Sequence, residues 1–139
     1  MIRRGKEEAA VPPADGKNRD LREEEEVHTP LGTIRISDEV LAELAGISCT
    51  QCYGVVGMAS QSFQEGMAQL LGRDTIKRGV KLKRKGEQVS FHLFIIVEAG
   101  INITEVARNL IDQVKYTVNA ATGLEVEEVQ VHIQGVRAH

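Results

Sequence analysis

The chain has no tryptophan, two tyrosines and three phenylalanines in 139 residues, and it is as poor in cysteine (two) and proline (three). With aromatics at 4%, a core must be aliphatic, and an apolar share of 42% is enough to build one without metal or disulfide staples. Two cysteines exclude a disulfide framework, and no secretory apolar segment opens the chain, so the sequence points to a reducing cytoplasm. No apolar run approaches the ~20 residues of a membrane span. Seventeen basic residues against twenty acidic give a net charge of −3, which argues against a globally basic binder of nucleic acid or anionic lipid. The length suits one domain plus a tail.

Residues 1–28 contain Gly5, Pro12, Pro13, Gly16 and the acid run Glu23, Glu24, Glu25 and Glu26, with almost no apolar periodicity. A disordered tail over 1–28 and a folded domain over 29–139 are predicted. Alternation in Thr33-Ile34-Arg35-Ile36 predicts a strand with one buried face. Ser37 caps a following helix whose first turn carries Asp38 and Glu39, with Val40, Leu41, Leu44, Ala45 and Ile47 as its apolar stripe. Gly54-Val55-Val56-Gly57-Met58-Ala59 reads as a short buried strand. A second helix is expected over 63–71, with Phe63, Met67, Leu70 and Leu71 inward.

Val80 and Leu82 alternate with Lys81 and Lys83, and Arg84-Lys85-Gly86-Glu87 supplies a turn before a long strand over 89–98. Val89, Phe91, Leu93, Ile95 and Val97 share one face of that strand, while Phe94 and Ile96 add apolar surface to the other. It must be central or covered on both sides. Asn102, with Glu105 three residues on, opens the cleanest amphipathic helix, which carries Val106, Leu110, Val114 and Val118 and stops at Gly123. The last strand, 124–136, changes apolar parity at Glu127-Glu128, which predicts a bulge. The order β-α-β-α-β-β-α-β, with a hairpin beside a parallel crossover, defines an α+β, two-layer sandwich: a mixed sheet with helices packed on it.

Four features bear on chemistry. Cys49-Thr50-Gln51-Cys52 has dithiol spacing but falls at the C-terminal end of a helix, where the dipole opposes a thiolate, so reduced semi-buried thiols are preferred to redox chemistry or to zinc shared between subunits. Gly54-Val55-Val56-Gly57 matches the bare GxxG of KH nucleic-acid-binding domains, but its two valines suit a buried strand better. The segment 73–88 holds Arg73, Lys77, Arg78, Lys81, Lys83, Arg84 and Lys85 against Asp74 and Glu87, a local charge of +5 inside an acidic protein. Lys81, Lys83, Arg84 and Lys85 are the candidate partner-binding residues, with a solvated face as the plainer reading and nucleic-acid binding through 73–85 as the alternative function. His28, His92, His132 and His139 have no nucleophile or carboxylate partner in the pattern; His92 and His132 read as outward-facing strand residues. No catalytic residue, cofactor fingerprint or metal site emerges.

Several stretches resemble one family. They are Gly32-Thr33-Ile34-Arg35-Ile36-Ser37-Asp38-Glu39-Val40, Cys52-Tyr53-Gly54-Val55-Val56-Gly57-Met58, Arg78-Gly79-Val80, Ile96-Val97-Glu98-Ala99-Gly100-Ile101-Asn102-Ile103, Thr122-Gly123-Leu124 and Val129-Gln130-Val131-His132-Ile133-Gln134-Gly135-Val136. Over about residues 30–137 the chain is similar to the alkaline shock and general stress proteins associated with envelope stress in Gram-positive bacteria, and its short form is similar to their housekeeping branch. The resemblance implies a non-enzymatic cytoplasmic binding or scaffolding protein without cofactor. It also implies a homo-oligomer, held in some relatives at the inner face of the membrane by a membrane-anchored protein partner. Ala99 and Cys49 depart from the family pattern.

Overall fold

The computed structural model describes residues 26–60 and 70–138. The described residues begin with an antiparallel hairpin of β1 (Glu26–Thr29) and β2 (Gly32–Arg35), which forms a two-stranded sheet of its own. β1 thus takes in residues 26–28 from the end of the acidic run, three positions before the expected boundary at Thr29. The expected disorder of the rest of the tail concerns residues 1–25, outside the described residues. β2 lacks the buried face that its alternation suggested: Ile34 stays 52% exposed, since β2 pairs with β1 and not with the main sheet.

The main sheet is organised around β5 (Gln88–Glu98). Along one edge runs β6 (Glu125–Arg137), parallel over the whole length of β5. The other edge is divided between β4 (Val80–Lys85), antiparallel to its first half, and β3 (Val55–Met58), antiparallel to its second. β5 is thus the central strand that its double-sided apolar pattern requires. β4 and β5 join through the two-residue loop Gly86-Glu87, and β5 returns to β6 through α2 (Ile103–Thr122), the parallel crossover expected from the sequence. Asn102 caps α2 by accepting the Glu105 N–H at 3.0 Å. At its far end Gly123 adopts φ +78 and donates its N–H to Asn119 O, a backbone turn that favours glycine.

β6 carries the expected bulge. Val89 pairs with Val126 but Ser90 with Glu128, so Glu127 is the extra residue, and the parity change keeps Val126 and Val129 both buried. A second shift, between the Ile95–Ile133 and Ile96–Gly135 pairs, has no parity signal because no apolar alternation continues beyond it.

The two α-helices among the described residues cover one face of the sheet. Val89, Phe91, Leu93, Ile95 and Val97 of β5 are at most 1% exposed and pack with Val106, Leu110, Val114 and Val118 of α2. From α1 (Asp38–Thr50) come Leu41, Ala42, Ala45 and Cys49. Ser37 caps α1 as expected, its Oγ accepting the Val40 N–H at 3.2 Å. The buried stripe, however, is rotated from the expected one, and Val40 and Ile47 are about half exposed. Two sets of residues satisfy helical spacing here, and the set rich in small residues faces inward, where Ser48 Oγ meets Thr117 Oγ1 of α2 at 3.3 Å.

The helix expected over 63–71 falls largely on residues 61–69, outside the described residues. Its last two positions are extended: Leu70 forms a bridge with Ala59 and Leu71 donates its N–H to Met58 O, ahead of a 3-10 segment, Arg73–Gly79.

Candidate functional site

The face of the sheet turned away from the helices is where the polar chemistry gathers. Directly paired residues share a face, so the register defines three transverse rows: Lys81, His92 and Gln130; Lys83, Ser90 and Glu128; Lys85, Gln88 and Glu125. Lys81, Lys83 and Lys85 are exposed along β4, and Glu125, Glu128 and Gln130 are exposed along β6. Between these flanks Ser90, His92 and Phe94 of β5 and His132 of β6 are half-buried. At the β3 end the same face is closed, with Ala59 and Ile96 fully buried and the Leu70 side chain lying over Gly57.

His92 and His132 are brought together as sequence reasoning did not foresee. His92 Nδ1 and His132 Nε2 face each other at 3.0 Å, and the His132 ring stacks on Phe94 with centroids 4.6 Å apart and planes 10° from parallel. One nitrogen of each ring is thereby committed to the other, one donating and one accepting. The signal was available only through the parallel register, which sets Phe94 beside His132 across a 20-residue helix.

Of the four candidate binding residues, Arg84 is the one whose side chain is withdrawn from the surface. It shares parity with Val80 and Leu82, so its side chain enters the helix-facing side, where only 4% remains exposed. Its Nη1 donates to Ile36 O and lies 3.5 Å from Asp38 Oδ1, while Nε and Nη2 are buried without partners. Lys77 is also engaged, 3.0 Å from Glu39 Oε2, and that hydrogen bond raises its ammonium above the ordinary value. The acidic first turn of α1 therefore pairs with two members of the basic run, and of the four candidate binding residues Lys81, Lys83 and Lys85 stay exposed.

Of the two thiols, Cys49 is sealed in the core. Cys49 is fully buried and Cys52 partly so, both as free thiols, and burial pushes both thiols above their ordinary value. Cys52 Sγ lies 3.5 Å from Ser48 O, a contact to the last turn of the helix. A metal shared between subunits would need Cys49 at the surface. Among the described residues no group of three or more His, Cys, Asp or Glu is placed to hold a metal ion. The Gly54-to-Gly57 stretch leads into β3 instead of joining two helices. Gly54, at φ +88, passes so close to α2 that a Cβ would come within 2.7 Å of Ile101 Cδ1 and Val106 Cγ2. No helix among the described residues is long and apolar enough to cross a membrane.

These features define a small two-layer α+β domain whose distinctive chemistry lies on an open sheet face. The chain belongs to the alkaline shock protein family, of cell envelope-related function, whose model matches residues 26–138. It is 44% identical over 113 residues to YloU of Bacillus subtilis, covering 81% of this chain and 94% of that protein. It is 32% identical over 112 residues to Spy1614 of Streptococcus pyogenes, covering 80% and 93%. YqhY of Bacillus subtilis is 26% identical over 121 residues, covering 87% and 89%. Among solved structures, MamM-CTD 215-293 superposes with a TM-score of 0.44 at 13% identity, over 74% of this chain and 100% of its own.

Proposed function

We infer that the protein is a non-enzymatic, cytoplasmic binding and scaffolding module of the envelope stress response. In this reading it acts by self-association and by contact with an acidic protein partner, anchored at the inner face of the membrane. The observation that carries this reading is the exposed row Lys81, Lys83 and Lys85 on the sheet face turned away from α1 and α2. Three like charges in alternate positions repel one another, and an opposing field on a partner offsets that cost. The cell envelope-related description of the family supports the same direction. The groups most suited to catalysis are otherwise engaged: His92 and His132 bind each other, and the Cys49 thiol is sealed in the core.

The test compares the full chain with the triple variant Lys81→Glu, Lys83→Glu, Lys85→Glu, using capture of partners from native lysate with membranes retained, at two salt concentrations. The variant is expected to fold normally, to recover less partner, and to lose most of the salt dependence of the remainder. Equal recovery would reduce the lysine row to a solubility device. Tight, strongly salt-dependent binding of mixed RNA by the wild type would favour the nucleic-acid reading of the 73–85 segment instead.

A further inference from the structure

The open face carries its own complement. One flank is the basic row of β4 and the other the acidic row of β6, with the half-buried strip of Ser90, His92, Phe94 and His132 between them. This is the anatomy of an interface patch, a partly apolar centre within a charged rim. We propose that a second copy of this chain packs face to face on this surface, about a two-fold axis parallel to β5, so that Lys83 and Lys85 of each copy meet the other copy's Glu128 and Glu125. The proposal rests on the self-association in the proposed function and adds to it a face, an axis and residue pairs; because it engages Lys83 and Lys85, a second copy and the acidic partner compete for the same row.

The axis follows from the register. Lys83, Ser90 and Glu128 occupy one transverse row, and Lys85, Gln88 and Glu125 the next. Rotation by half a turn about a line parallel to β5 exchanges the β4 and β6 flanks but keeps each row at the same height along the strands. Each lysine then lies over a glutamate of the same row. Rotation about an in-plane line across the strands would instead set lysine over lysine and glutamate over glutamate, which like-charge repulsion disfavours. Stacked sheets sit about 10 Å apart, a gap that extended Lys and Glu side chains span from opposite sides. An isologous contact of this kind is also closed, giving a dimer and not a filament.

The competing site is the outer edge of β6, where a second β6 could extend the sheet. That edge bears the marks of a blunted strand: two register shifts, and Glu125, Glu127 and Glu128 along its first half.

The test uses the full chain and two charge-reversed forms, one with Lys83→Glu and Lys85→Glu, the other with Glu125→Lys and Glu128→Lys, each checked for native circular dichroism. In sedimentation equilibrium the wild type should dimerise, with a dissociation constant that rises about tenfold between low and high salt. Each reversed form alone should be monomeric where the wild type is dimeric, and an equimolar mixture of the two should recover the dimer, since every reversed contact is again between opposite charges. The neutral pair Lys83→Gln, Lys85→Gln should weaken association less than the reversal, which guards against a folding defect in the reversed form. Dimerisation of each reversed form at wild-type strength, or a mixture that stays monomeric, would overturn the face-to-face arrangement while leaving self-association standing. A wild type that is monomeric at every concentration would remove both.

Discussion

The two faces of the sheet are made by alternate residues of the same strands, yet they obey different rules. Along β5 the odd positions Val89 to Val97 are all aliphatic or phenylalanine and sealed under two helices, whereas the even positions Ser90, His92 and Phe94 are half-buried between flanks of opposite charge. The covered face is explained by packing alone, because burial of that apolar surface is what holds strand and helix together. The open face is not required by the fold. Its lysine row, glutamate row and histidine pair add no core, so their arrangement speaks for what the surface meets.

This contrast can be broken most severely on the covered side. Leu110→Ala removes a fully buried side chain at the centre of the α2 stripe and should cost roughly 2–5 kcal/mol in denaturant unfolding. A change near zero would take α2 out of the core. A smaller effect is expected from pH. Burial holds the Cys49 thiol protonated above its ordinary value of 9.0, so above that pH the unfolded chain releases a proton that the folded chain keeps. Stability is therefore unaffected below pH 9 and falls above it, by up to about 1.4 kcal/mol per pH unit for each such thiol, a slope that Cys49→Ala should flatten. Thiol reagents at neutral pH should label Cys52 and spare Cys49 until the protein unfolds.

Arg84 sharpens the comparison because it is a basic residue on the covered side. Two of its nitrogens are buried without partners, so Arg84→Met should change stability by about 1 kcal/mol or less in either direction, as the lost bond to Ile36 O is offset by relief of desolvation. A loss of several kcal/mol would show that the guanidinium anchors the hairpin to the sheet. The smallest effect on stability belongs to the open face: reversing Lys81, Lys83 and Lys85 should shift unfolding by about 0.5 kcal/mol or less per site.

Legibility in the sequence follows the same division. The covered face was readable because apolar periodicity reports burial directly: it located β5, α2, the hairpin and even the Glu127 bulge, where the parity of Val126 and Val129 changes. It failed where periodicity is ambiguous or sparse. α1 offered two apolar stripes and buried the one with smaller residues, and β1 has a single apolar residue, Val27, behind an acidic run. The open face was readable only in part. Alternation placed Lys81 and Lys83 outward, but the unbroken run Lys83-Arg84-Lys85 concealed that Arg84 keeps the parity of Val80 and Leu82. The His92–His132 contact and the opposed Lys and Glu rows depend on how β6 aligns with β5 across α2, which no local pattern encodes.

The central claim is that the open face is the surface through which the protein works, and an amide and imidazole NMR dilution series of the full chain tests it most directly. Raising the concentration should move the resonances of Lys81, Lys83, Ser90, His92, Phe94, Glu128 and His132 together along one binding curve, while those of Val40, Ile47 and Tyr116 on exposed helix surfaces stay fixed. Shifts confined to the outer surface of α1 or to the edge of β6, with the His92 and His132 rings unmoved, would contradict it.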